Sequence, residues 1–168
     1  MEKQIGKVNF TKGHVTITDP CYDKGTWCTA EVDNVFKGEW EASVEIQDCG
    51  DWGNRVAQLI LKVPGQEIVK SIKLPDDIGV DAGVCGVFED KPDYQDEDWD
   101  GIMVEFGHGY KTCGLALTSN AFHCNGAWSH SGYGDGSYIA TIGVNENGEV
   151  VQIIVDYLTD EEAKEWII

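Results

Sequence analysis

Residues 138–157, YIATIGVNENGEVVQIIVDY, predict a β-hairpin and set the fold class. Two runs rich in β-branched residues, 138–144 and 149–157, flank the segment Asn145-Glu146-Asn147-Gly148. An Asn-Gly pair tolerates the positive φ angles that a tight hairpin turn needs. This stretch therefore favours an antiparallel β fold.

Residues 39–46, EWEASVEI, show the same preference through strict alternation. Trp40, Ala42, Val44 and Ile46 share one face and the polar residues share the other, which is typical of a half-buried antiparallel strand. The run at 55–63 is more continuously apolar and suits a central strand. Further candidate strands are residues 14–18, 67–74, 101–106 and 110–117.

A short helix is predicted at the C-terminus. Residues 159–162, TDEE, form a capping box, and Ala163, Trp166 and Ile167 give an apolar stripe that would dock on the sheet. Many short strands, glycine-rich turns and a terminal helix together predict a mostly β chain. We expect an antiparallel β-sandwich or open barrel-like β domain with a short C-terminal helix, and 168 residues suit a single domain over 1–168.

The charge limits the classes of partner. Twelve basic residues against thirty acidic ones give a net charge of −18, which repels nucleic acid and anionic membranes. Such a surface suits a basic protein partner, a cation or mimicry of nucleic acid, although acidity also simply keeps proteins soluble.

The compartment follows from what the sequence lacks. The N-terminal residues contain no apolar signal-peptide core, and no apolar run is long enough to span a membrane. Six cysteines without an export signal are expected to be reduced thiols. We therefore expect a cytoplasmic protein.

The most acidic segment is residues 89–100, EDKPDYQDEDWD, which is expected to form an exposed loop. Asp96, Asp98 and Asp100 precede Gly101 with the D-x-D-x-D-G spacing of calcium loops. The twelfth position, which needs a bidentate Glu, holds Gly107. Ca²⁺ is therefore expected only as a weak, non-EF-hand ligand, and the alternative is a solvated loop. No other cofactor is predicted.

Cysteine and histidine residues provide two weaker hypotheses. A zinc site would draw on Cys21, Cys28, Cys113, Cys124, His108, His123 and His130. The spacings lack the C-x2-C pairs that make such a prediction strong, so buried free thiols are favoured. His123 beside Cys124 does not indicate a cysteine nucleophile, because neighbours on a strand point to opposite faces.

The most distinctive local sequence is residues 131–138, SGYGDGSY. Its glycines permit positive φ or close approach of a ligand. Asp135 can accept hydrogen bonds from neighbouring amides and make a purely structural turn. The same loop could instead present Tyr133, Asp135 and Ser137 to a ligand.

This loop, followed by an Asn-Gly hairpin, resembles the hallmark of an uncharacterised bacterial and phage domain family of unknown function. Residues 15–22 (VTITDPCY), 38–40 (GEW) and 80–83 (VDAG) are similar to further elements of that family. Val84 departs from the polar residue that often follows the last of these, and the 89–100 segment is this chain's own. The resemblance implies one compact domain, an origin in phage or mobile elements and an anti-defence context, but no established activity.

The resemblance also directs attention to Asp19, Asp81 and Asp135, each at a predicted strand end or in a glycine turn. If those ends meet, the carboxylates form a cluster that binds a cation or shares protons. The alternative is three separate Asx turns. The aromatic residues expected to wall the pocket are Tyr22, Trp27, Tyr133 and Tyr138.

Three functions remain open at this stage. The first is a non-enzymatic binding protein that recognises or sequesters a small molecule or protein partner through Asp19, Tyr22, Trp27, Asp81, Tyr133, Asp135, Ser137 and Tyr138. The second is an acidic inhibitor that mimics nucleic acid and binds a basic host protein. The third is a metal-assisted hydrolase that uses the aspartate cluster.

Overall fold

The computed structural model describes residues 1–158, which form two antiparallel β-sheets packed face to face and one α-helix. The predicted helix at 159–167 lies outside the described residues. The strands are β1 (Glu2–Phe10), β2 (His14–Thr18), β3 (Ala30–Asp33), β4 (Gly38–Asp48), β5 (Asn54–Lys62), β6 (Lys70–Lys73), β7 (Ile78–Val80), β8 (Val84–Glu89), β9 (Cys113–Ala116), β10 (Asn125–His130), β11 (Gly136–Val144) and β12 (Val150–Asp156). The helix is α1 (Asp96–Glu105), and single 3₁₀ turns cover Gly50–Trp52 and Gly107–Gly109.

The first sheet has seven strands in the order β1-β4-β5-β12-β11-β6, and β7 also pairs with β11. The second has five strands in the order β3-β2-β8-β10-β9. Across the described residues neither sheet closes into a barrel, so the sandwich alternative of the predicted fold class is confirmed. Between the sheets, β1 lies against β9 and β10, and β5 lies against β10.

The predicted hairpin is confirmed as β11 and β12, with Ile142 opposite Ile153. Within its turn only Gly148 takes a positive φ, 80°. The Asn145 side chain stabilises the remainder of the turn, because its Oδ1 accepts hydrogen bonds from the Asn147 and Glu149 amides at 3.0 and 2.9 Å. An Asx-type turn therefore joins the two strands.

The alternating segment is confirmed within β4. Trp40, Ala42 and Val44 are fully buried between the sheets, whereas Ile46 is only partly buried, beyond a register shift at Glu45/Ile46. The continuous run at 55–63 forms β5 and lies between β4 and β12, as a central strand should. The candidates at 67–74 and 110–117 shorten to β6 and β9.

Strand β8 is buried on both faces and divides the interior into two cores. Cys85 and Val87 face the core between the sheets, while Val84 and Phe88 belong to a second cluster beneath α1. This second cluster is rich in aromatic rings and includes Tyr94, Ile102, Phe106, Phe122 and Trp128. The helix thus forms a third layer on the outer face of the second sheet.

The acidic segment gives the main correction to the predicted elements. Residues 96–105 form helix α1, so the loop expected through Asp100 and the strand expected at 101–106 are wrong. Asp96, Glu97 and Asp98 occupy the first turn, where carboxylates interact favourably with the helix dipole. The Asp98 carboxylate also accepts a hydrogen bond from the Gln95 amide at 2.8 Å, which caps the helix. Within residues 1–158, no helix has the length and apolar character required to cross a bilayer.

Candidate functional site

Three loops that are distant in sequence meet at one end of the sandwich. Asp19 lies after β2 and is fully buried. Its Oδ2 accepts hydrogen bonds from the Asp81 and Ala82 amides, both at 2.7 Å, and its Oδ1 accepts one from the Cys21 amide at 2.9 Å. The Ser131 amide then donates to the Gly83 carbonyl at 3.1 Å. The three segments singled out in the sequence are thus brought together, but through backbone amides.

The glycine-rich loop is closed by its own hydroxyl groups. The Gly134 carbonyl accepts hydrogen bonds from the Ser131 and Tyr138 hydroxyls, and Tyr138 also reaches the Ser131 carbonyl. The Tyr138 ring packs edge-on against the buried ring of Tyr157, with centroids 5.1 Å apart. These contacts fix the course of the loop, so Tyr138 supports the site and does not line it.

Beside these loops lies a cleft of about 580 Å³. Its walls are the three loops, the start of β5, the end of β10 and helix α1 with the residues that follow it. Trp99, Met103 and Phe106 supply an apolar wall, and Arg55, His130 and Tyr133 supply polar atoms. No lining residue that the structure describes is an Asp or Glu, although the chain contains thirty of them. The cleft therefore differs in charge from the rest of this acidic protein.

Arg55 is the only arginine in the sequence. Its Nε donates to the Trp52 carbonyl at 2.9 Å, and its guanidinium carbon lies 5.5 Å from the centroid of the Tyr133 ring. The Tyr133 ring packs edge-on against Trp52, with centroids 6.1 Å apart, and the neighbouring Cys49 thiol, then burial, raise the pKa of Tyr133. The cation is therefore held in place by a carbonyl and an aromatic face.

His130 ends β10, and its amide donates to the Thr112 carbonyl at 2.7 Å. Burial, and then the positive charge of Arg55, lower the pKa of His130 below its ordinary value. At neutral pH the imidazole is therefore uncharged, and each ring nitrogen is either a donor or an acceptor according to the tautomer. Arg55 thus carries the only permanent charge among the described residues that line the cleft.

Of the eight residues predicted to bind a ligand, Tyr133 lines this cleft. Asp81, Asp135 and Ser137 are exposed beside it, and Trp27 is 91% exposed and does not line it. Tyr22 is partly buried, and burial followed by its hydrogen bonds with Asp81 and Cys28 raises its pKa. Asp19 thus joins the loops through backbone amides, and neither Asp19 nor Tyr22 lines the cleft.

The sequence reasoning did not identify Arg55 and did not place His130 in a ligand pocket. One signal pointed to Arg55: it is a lone arginine in a strongly acidic chain, directly after a turn that contains Gly50 and Gly53. Nothing in the local sequence brings it to Tyr133, which is far away along the chain. That proximity comes from the sandwich.

The predicted metal sites have no matching geometry. Asp96, Asp98 and Asp100 lie on helix α1, and Asp19 uses both carboxylate oxygens on amides. Across residues 1–158, no group of three or more His, Cys, Asp or Glu side chains is arranged to hold a metal ion. This result applies equally to the cysteine and histidine set considered for zinc.

The cysteines are free thiols, and two of them bear on chemistry. Cys21 lines the cleft, and burial, then a hydrogen bond with Asp19 and the charges of Asp19 and Asp81, raise its pKa to about 12. Burial likewise raises the pKa of Cys124, whose thiol lies 3.7 Å from the Tyr94 hydroxyl. Both thiols are therefore protonated at neutral pH, which disfavours nucleophilic attack.

Comparisons with protein-family models, curated proteins and solved structures found no match to this chain. The resemblance to an uncharacterised phage and bacterial family stays a prediction.

Proposed function

We propose that this is a non-enzymatic binding protein that holds a small molecule in the cleft beside the glycine-rich loop. The observation that carries the proposal is a cleft without carboxylates, containing the single arginine of a chain with a net charge of −18. A concave site whose only permanent charge is positive, in a strongly acidic protein, does not serve solubility but suits recognition.

The dimensions and the lining support a small molecule. The cleft volume of about 580 Å³ falls within the range of roughly 300–1,000 Å³ that ligand sites occupy. An apolar lining with a few fixed polar groups is the usual composition of such sites. The loop contacts made by Asp19 and Tyr138 hold the cleft open in advance, which reduces the entropic cost of binding.

The same geometry favours binding over catalysis. The raised pKa of Cys21 leaves a protonated thiol in the cleft. Asp19 is buried beneath the loops, does not line the cleft, and accepts hydrogen bonds from three amides, so its carboxylate serves to hold the loops. The role that remains for these residues is to shape the site.

The test is to fill the cleft and to look for bound molecules. Ala82 lines the cleft with an exposed side chain, so Ala82→Trp would occupy the space while its amide still bonds to Asp19. The matched control is Ser119→Trp, at an exposed position that does not line the cleft. Native mass spectrometry of gently purified protein, followed by a thermal-shift screen of metabolites, would measure occupancy.

We expect a ligand on the unmodified chain and on Ser119→Trp, its loss from Ala82→Trp, and recovery of the ligand unchanged after incubation. Equal binding by Ala82→Trp would show that the cleft is not the site. Conversion of the ligand to a product would contradict the non-enzymatic assignment.

A further inference from the structure

Among the described residues, the side chain of Arg55 has an incomplete set of hydrogen-bonding partners. Within residues 1–158, no carboxylate lies within 4.0 Å of its guanidinium nitrogens. In a chain with thirty acids and twelve bases, an arginine held in a concave site would ordinarily have an acidic partner. The Arg55 Nε atom donates a hydrogen bond to the Trp52 carbonyl, and the Tyr133 ring lies against one face of the guanidinium group.

This arrangement leaves the two terminal nitrogens as a fork for an external anion. A guanidinium group binds the paired oxygens of a carboxylate or phosphate through two parallel hydrogen bonds. Because Nε and the ring face are already engaged, the end of the fork is the part that remains for a ligand. The anion is thus bound by a preorientated group and not by a flexible surface lysine.

The charge of the anion follows from the other lining groups. Among the described lining residues, Arg55 carries the only permanent charge, and the lowered pKa of His130 keeps that ring neutral near pH 7. One fixed positive charge balances a singly charged group. A doubly charged group would retain an unbalanced negative charge in a protein whose net charge is already −18.

The apolar lining residues indicate the remaining part of the ligand. Trp99, Met103 and Phe106 are all lining residues, and Met103 is 40% exposed on α1. Aromatic and thioether side chains bind flat rings well, by offset or edge contacts and through the polarisable sulfur. An apolar planar group therefore fits this wall.

We propose, building on the small-molecule binding function proposed above, that the cleft binds an aromatic monoanion. Its carboxylate or phosphodiester group pairs with Arg55, and its ring packs against Trp99, Met103 and Phe106. Both anionic groups present two equivalent oxygens and one negative charge, so Arg55 would bind a carboxylate and a phosphodiester through the same pair of hydrogen bonds.

Calorimetric titration with a small set of probes tests this inference. Indole-3-acetate represents aromatic carboxylates, and cyclic adenosine monophosphate represents aromatic phosphodiesters. Adenosine 5′-monophosphate adds a second negative charge to the purine compound, and adenosine removes the charge. We expect one or both monoanions to bind with a Kd below about 1 mM, the weak end of the measurable range. Adenosine and the dianion should bind about tenfold more weakly than the better monoanion.

Two variants separate the role of Arg55 from general electrostatics. Arg55→Gln should weaken the preferred monoanion about tenfold or more, because the charge-assisted pair is lost. Lys62→Gln is the matched control: it removes the same charge from the opposite end of β5, at an exposed position outside the cleft. It should bind like the unmodified protein. Unfolding midpoints of both variants would establish that each is folded.

The outcomes distinguish this inference from the broader proposal. Equal affinity for adenosine and the anions would contradict the proposal that the ligand is an aromatic monoanion, and so would an unchanged Kd in Arg55→Gln. In either case, loss of binding in Ala82→Trp would still support the broader proposal of a ligand-binding cleft. Tighter binding of the dianion would contradict the inference that the ligand carries a single negative charge. Failure of both monoanions to bind would also reject the inference. The better of the two monoanions identifies the source of the anionic group.

Discussion

The Oδ2 atom of Asp19 accepts a hydrogen bond from the backbone N–H of Asp81 at 2.7 Å. The two aspartates therefore meet through an amide, and their carboxylates do not form a pair. This contact joins the loop after β2 to the loop before β8, which in turn bonds to the glycine-rich loop through Gly83 and Ser131. Removing it should affect the whole end of the sandwich that carries the cleft.

Asp19→Asn should lower the free energy of unfolding by about 3 kcal/mol, because the new amide NH₂ group faces backbone donors inside the protein. Urea unfolding measures the change. The control is Asp135→Asn, which neutralises an exposed aspartate and should change stability by less than about 0.5 kcal/mol. Equal effects of the two substitutions would show that the amide contacts of Asp19 contribute little.

Gly132→Ala should destabilise the protein by about 3 kcal/mol or more, because left-handed strain and overpacking act together. Its φ is 58°, and an added Cβ would lie 2.9 Å from the Leu158 Cδ2 atom, whose side chain is buried. Gly25→Ala is the control, since Gly25 has a φ of 82° but no atom within 4 Å of an added Cβ. Denaturant unfolding should give a loss of only about 1–2 kcal/mol there. A similar loss of unfolding free energy at both positions would show that the side chains around Gly132 move to accommodate the added Cβ at little cost.

Cys21 is an exposed residue whose thiol is partly covered by its neighbours, and it should react slowly with iodoacetamide at neutral pH. Burial, then the Asp19 contact and the charges of Asp19 and Asp81, raise its pKa to about 12, so the thiolate is scarce until the pH approaches that value. Peptide mapping of the alkylation rate against pH measures this. Asp81→Asn removes one of the charges and should increase the rate at a given pH. An inflection near the ordinary thiol pKa of about 8.5 would contradict the prediction.

His14 should contribute a small pH-dependent stabilisation. Burial lowers its pKa, but hydrogen bonds to Asp33 and Glu31, at 2.7 and 2.6 Å, and the charges of both acids outweigh burial and raise the pKa overall. A raised folded-state pKa gives stability that is fully present below the unfolded pKa of about 6.5 and is lost as the pH rises through the folded value.

The measurement is the difference in unfolding free energy between the unmodified protein and His14→Gln. This difference should be largest near pH 5, disappear at alkaline pH and stay below about 1 kcal/mol, because the His14 side chain is 42% exposed. A difference that grows with pH would contradict the sign.

The strands were predictable because they follow local rules. Trp40, Ala42 and Val44 alternate with polar residues, and the Asn145–Gly148 turn contains its own hydrogen-bonding side chain. Helix α1 was missed because its first-turn acids resemble a cation loop. The spacing of Trp99, Ile102 and Phe106, three and then four residues apart, was the helical signal that should have been weighed against them.

The site was predictable only in part. The sequence left two alternatives for Asp19, Asp81 and Asp135, a shared cluster or three separate Asx turns, and the structure brings their segments together through backbone amides. The sequence could not show that the Asp19 carboxylate accepts hydrogen bonds from backbone amides, because an aspartate with that role and an aspartate that binds a ligand are the same residue type. Nor could it place Arg55 over Tyr133, since that contact depends on how the two sheets are stacked.

Strand β8 separates two groups of side chains that have different structural roles. Cys85 and Val87 belong to the interior on which the sandwich depends, whereas Trp99 and Met103 are carried by a helix docked on the opposite side of that strand. On the binding function proposed above, substitutions along the exposed edge of α1 would change ligand preference with little loss of folding free energy. The scaffold and the proposed ligand-contacting side chains would then vary independently of each other.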